Sequence, residues 1–196
     1  MGMYKLWRKL IKETNRNLAP ILALSKAILE GSVSMSKSLR PSMEFESEKE
    51  NEENWVYVLF EFQYLLLHLV SRYSAIKVGP ERRTSLLEEI GPLVIEPTIR
   101  TLFGHWPDDL RNNIQTEYYE NLAKTEYEYG SCERVWSESD VDDMNDIVLY
   151  RFGKNVASVM GDSNSLGLII DVQSTIVHGL KEIEFDKLLQ NVYAVL

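Results

Sequence analysis

The sequence has one cysteine, Cys132, in 196 residues. It cannot form an internal disulfide, which points to a reducing compartment, and the cytoplasm is the expectation. Histidine is scarce too: His68, His105 and His178 are the three. No Cys/His set has zinc-finger spacing, and there is no Gly-rich phosphate loop and no Gly-x-Ser-x-Gly turn. No apolar run reaches the roughly 18 residues of a spanning helix. The longest, 56–70, is interrupted by Glu61, Gln63 and His68. The first residues are basic, but no unbroken apolar stretch follows them, so a secretory leader is not expected. Leu6 stands where a myristoylation signal needs Ser or Thr. Long alternations of β-branched and polar residues are also missing, which argues against a sheet.

What is present is enough for a core. Hydrophobic residues make up 44% of the chain, so composition does not predict disorder. The net charge of −9 is uneven. Residues 1–40 hold eight basic side chains and two acidic ones, a balance of +6, which leaves −15 for the rest. So acidic a body repels phosphate backbones and argues against a nucleic-acid partner.

The apolar residues recur at three and four, and the fold expected is all-α: a single-domain bundle of five to seven helices. Residues 1–30 read as a basic amphipathic arm, 31–53 as a Ser-rich and then acidic linker, and 54–196 as the bundle. In the arm, Leu6, Trp7, Leu10, Ile11 and Leu18 share one side, and Lys5, Arg8, Lys9, Lys12 and Arg16 the other. That apolar side needs cover from the protein's own body, a second subunit or an anionic membrane surface. The opposite charge of the body favours the first two. Gly31 is expected to end a helix. Pro92 and Pro97 are expected to kink or break the segment after Pro80. A further helix is expected from Pro107 to Tyr129. Another is expected from Val141 to Met160, capped by Asp140, and a last one from Leu166 to Val192, whose "LGLIIDV" could also be a strand.

The central helix is expected over 54–77, around "WVYVLFEFQYLLLHLVSRY". Its polar residues are ordered. Asn54, Tyr57, Glu61, Tyr64, His68, Ser71 and Arg72 form one stripe on a helix otherwise apolar all round. Three readings are open: a narrow window onto solvent, an internal network with Glu61 paired to Arg72 or to a partner helix, or a ligand site. The last helix repeats the pattern, with Asp171, Thr175, His178 and Glu182 on one face. Glu61, His68, Asp171 and His178 are therefore the candidate ligands of a zinc or iron ion, or the rim of an apolar-ligand site, between two helices. The Glu-x-x-His pair of carboxylate-bridged di-iron bundles is absent.

Other signals are weaker. Arg100 and His105 keep a spacing similar to the Arg-x4-His of HEPN-type helical ribonucleases, but two residues so spaced arise readily by chance. Cys132 lacks a nearby His and reads as an inert thiol. In "EYYENLAKTEYEY" the core face is Ile114, Tyr118, Leu122, Thr125 and Tyr129, with the glutamates in solvent. The functional expectation is a cytosolic helical protein that acts through a protein partner or as a homodimer. The alternative is the metal or apolar-ligand bundle.

Overall fold

A computed structural model describes residues 18–39, 48–136 and 144–196, with side chains of the second segment described from Asn54. The basic stripe of residues 4–16 and the cap at Asp140 lie outside the described residues. The described chain folds into seven α-helices without a strand. They are α1 (Ala19–Ser38), α2 (Glu48–Val78), α3 (Pro80–Phe103), α4 (Asp108–Gly130), α5 (Val148–Val159), α6 (Leu166–Glu182) and α7 (Phe185–Tyr193). The all-α bundle is thus the fold.

The apolar ring of α2 dictates its place. Val58, Phe62, Leu65, Leu66 and Val70 are fully buried, and α1, α3, α4, α5 and α7 all pack against it. Each such side chain contributes roughly 1.5–3 kcal/mol by leaving water. The Phe62 and Phe152 rings meet edge to face with centroids 5.0 Å apart. Gln63, alone on its side of the helix, is fully buried, and its amide ties four helices together. Its Nε2 donates to Thr98 Oγ1 of α3 at 2.8 Å and to Ser32 Oγ of α1 at 3.4 Å. Its Oε1 accepts from the Tyr118 hydroxyl of α4 at 3.0 Å. A buried amide so satisfied fixes the register of helices that hydrophobic contact alone would leave free to slide.

Several boundaries differ from the sequence expectation, each for a packing reason. The division at Glu30 falls inside α1, which runs through Gly31 to Ser38. Gly31 is there for close approach: a Cβ on it would lie 3.1 Å from Ile183 Cγ2. Ser32 and Ser36 return their hydroxyls to the carbonyls of Leu29 and Val33, so a Ser-rich stretch that reads as linker stays helical and buried. α3 likewise continues through Pro92 and Pro97. Its face of Leu86, Ile90, Val94, Ile95 and Ile99 is buried, which outweighs the roughly 3 kcal/mol that each internal proline costs. α5 starts only at Val148, after a 3-10 turn at Met144–Asp146, and Arg134 bridges to Ile147 across the preceding loop. The last helix is two, with Glu184 in the left-handed region (φ 51°) between them. "LGLIIDV" is helical, started by Ser165, whose hydroxyl accepts from Leu168 N.

Candidate functional site

Most of the polar stripe of α2 is turned away from solvent, Tyr57 near its start being the exposed member. Tyr64, His68 and Ser71 are buried, and α4 covers them. Helix α4 begins after Pro107, and its acidic first turn, Asp108 and Asp109, suits the positive end of the helix dipole. It runs beside α2 so that Tyr118 meets Tyr64 and Glu126 meets His68.

Glu126 is the hub of this seam. Its Oε2 accepts from His68 Nδ1 at 2.7 Å. Its Oε1 accepts from the Ser71 hydroxyl and, at 2.7 Å, from Arg83 of α3. Arg83 Nε also donates to Ser71 Oγ at 2.7 Å. Burial raises the Glu126 carboxyl, but the bonds from His68, Ser71 and Arg83 and the His68 charge outweigh it and hold the group below the usual carboxylate range. An ionised carboxylate only accepts, so His68 Nδ1 carries the proton. His68 Nε2 is buried and has no hydrogen-bond partner among the described residues. A carboxylate-bonded imidazole is the pairing used by general bases and metal ligands. Here the side chain is only 3% exposed and its ring packs edge-on against Tyr129, centroids 5.5 Å apart. The pair holds helices together.

Glu61 sits two turns earlier and is not paired with Arg72. Arg72 donates instead to the backbone carbonyls of Cys132 (2.8 Å) and Glu133 (2.6 Å) after α4. The Glu61 Oε2 is buried without a hydrogen-bond partner among the described residues. Burial and then the Glu128 charge push its carboxyl up to about 7, against a hydrogen bond with Tyr129 that lowers it. Tyr129 in turn accepts from Asn155 of α5 at 3.3 Å. Of the three readings of the stripe, the structure fits an internal network with a partner helix.

The four proposed ligands are not brought together. Asp171 and His178 lie on the exposed face of α6, which packs on α1, α5 and α7. His178 Nδ1 turns back to its own helix, 2.8 Å from Ser174 O. Among the described residues no group of three or more His, Cys, Asp or Glu could hold a metal ion. Arg100 and His105 are both exposed at the end of α3.

The cavity that sequence reasoning missed lies at the other end of the seam. Helix α3 stops at Phe103, the chain turns at Gly104–Pro107 into α4, and residues of this turn and of α2, α3 and α4 line a cleft of about 330 Å³. Tyr57, Phe60 and Tyr64 of α2 and Tyr118 of α4 line it. Leu102, Phe103, His105 and Trp106 line it as well, with Glu117 of α4. The rings are arranged as two groups. Tyr118 packs edge to face on Phe60 and Tyr64, centroids 5.0 and 4.8 Å away. Phe103 and Trp106 pair at 5.0 Å. Burial, then the charges of Glu61 and Glu117, raise the Tyr64 hydroxyl well above its ordinary value, so it stays protonated. An apolar, preformed hollow with few polar groups is the usual form of a ligand site.

The chain matches no protein-family model, no curated protein and no solved structure.

Proposed function

We propose that this protein is a binding module that works by contact with a partner protein, with the aromatic cleft as the contact point. The observation that carries the reading is the exposure of its rim. Tyr57 is 44% and Trp106 38% exposed, although both border a hollow walled by buried rings. Tyrosine and tryptophan at the mouth of a desolvated pocket are what anchor protein interfaces. Leu110, one turn into α4, is exposed too. The buried seam does not compete for this role, because its carboxylate and imidazole are spent on one another. A reducing compartment fits the buried free thiol of Cys132.

Selection of a displayed random-peptide library on the full chain tests this. Peptides enriched on the protein should lose binding to Trp106→Ala and Tyr57→Ala while both variants keep their circular dichroism spectra. Peptides that bind both variants unchanged, or a library that yields none, would overturn the reading.

A further inference from the structure

We infer that the aromatic cleft selects a cation on an apolar stem: an arginine or lysine side chain of the partner segment. The inference rests on the contact reading and names its chemistry.

Ring faces carry negative charge density and attract a cation lying over them, most strongly for tryptophan and tyrosine. The cleft offers the exposed rings of Trp106 and Tyr57, with the buried Tyr64 and Tyr118 in its lining. Glu117 is its acidic lining residue, His105 also lines it, and among the described residues no lysine or arginine does. The nearest cationic side chain of the α4 start, Arg111, is already bonded to Asp108 and reaches the Gly104 carbonyl at 3.5 Å. The Glu117 charge is one of those that raise the Tyr64 hydroxyl, as a negative neighbour does. An anionic head would be repelled by the exposed Glu117 carboxylate, and a neutral one would gain nothing from it. A basic side chain places its methylenes along those walls and its head against the carboxylate, as long basic side chains do at apolar surfaces. The size fits: 330 Å³ lies at the lower end of ligand pockets, which run from about 300 to 1,000 Å³. At longer range the −15 balance of residues 41–196 draws a basic segment toward the protein.

Three probes of one chain length separate the possibilities: octylguanidinium, octanol and octanoate, titrated into the full chain by calorimetry below their aggregation range. Octylguanidinium should bind at one site about tenfold more tightly than octanol, with octanoate weakest. Glu117→Gln should bring octylguanidinium close to octanol. Trp106→Ala should weaken both. Glu117 and Trp106 are exposed, and unchanged thermal melts would show that the variants fold. Octanol binding as tightly as octylguanidinium would sink the inference and leave the contact reading standing. So would octylguanidinium binding that survives Trp106→Ala, because the cation would then be elsewhere on the acidic surface. Selected peptides without a basic residue would have the same meaning. A library that yields no peptide overturns the contact reading itself.

Discussion

Two glutamates one seam apart carry opposite proton affinities, and neighbours decide which. Glu126 has three donors and is held ionised, whereas Glu61 has a buried oxygen without a partner and is pushed up to about 7. The pH consequences have opposite signs. The Glu126 group, with its folded value depressed, adds stability at pH above its unfolded value, and that contribution is lost as pH falls through the folded one. The Glu61 group, with its folded value raised, gives its contribution below 4.5 and loses it as pH climbs through about 7. Glu61→Gln should therefore stabilise the protein by roughly 3 kcal/mol at pH 8 and by little at pH 4.5, read from urea unfolding at the two values. Equal effects at both would disprove the assignment. Glu126→Ala should cost roughly 1–3 kcal/mol at neutral pH, because it leaves the buried His68 N–H without its acceptor, whereas Arg83, 31% exposed, can turn to water. A loss under 1 kcal/mol, the worth of a surface pair, would show that the cluster is not a unit. The sequence showed the stripe but not its partner. Glu126 looked like one more solvated acid of α4. The signal was there: it stands between Leu122 and Tyr129 at helical spacing, on the shoulder of the core face.

Among the elements, α1 resisted reading because its breakers act as spacers. A glycine or serine reads as a loop in one dimension, and only the neighbouring helix reveals that a small side chain was needed. Gly179 of α6 makes the point with Gly31. A Cβ placed on it would collide with the Met35 side chain of α1. Methionine is flexible, so part of the collision can relax. Gly179→Ala should then lower stability by about 1–3 kcal/mol. Adding Met35→Ala should make the second change less costly than the two losses taken separately. Thermal melts of the two single variants and the double variant measure that coupling, and strict additivity would mean that the helices do not meet here. The prolines of α3 are the same lesson reversed. Their local preference is strong, but five buried side chains on one face prevail.

For the molecule as a whole, the class was legible because helical spacing is a property of consecutive residues. The cleft was not, because its rings come from α2, the end of α3, a turn and α4, and each set reads as ordinary core by itself. Among the described residues no helix is long and apolar enough to cross a membrane. The core is also unevenly shared. α2 is enclosed by five helices, whereas α4 has only Tyr118, Thr125 and Tyr129 fully covered. Helices with few buried side chains open at lower free energy than the global transition. Amide hydrogen exchange should thus be faster along α4 than at Phe62–Val70 of α2. Equal protection would mean that the two open together. Because α4 supplies Glu117 and Tyr118 to the cleft, the least anchored helix is also one of its walls.

Cys132 closes α4 at the point where Arg72 grips the backbone. Its thiol is buried, and burial pushes it up from its ordinary value. It is the single thiol of the chain, so a sulfhydryl reagent added to the unlabelled protein has one target. The rate of modification then reports opening at the C-terminal end of α4 and of the Asn145 segment against it. It should quicken in Arg72→Ala, where the latch is gone, and slow when a cleft occupant clamps the far end of the same helix.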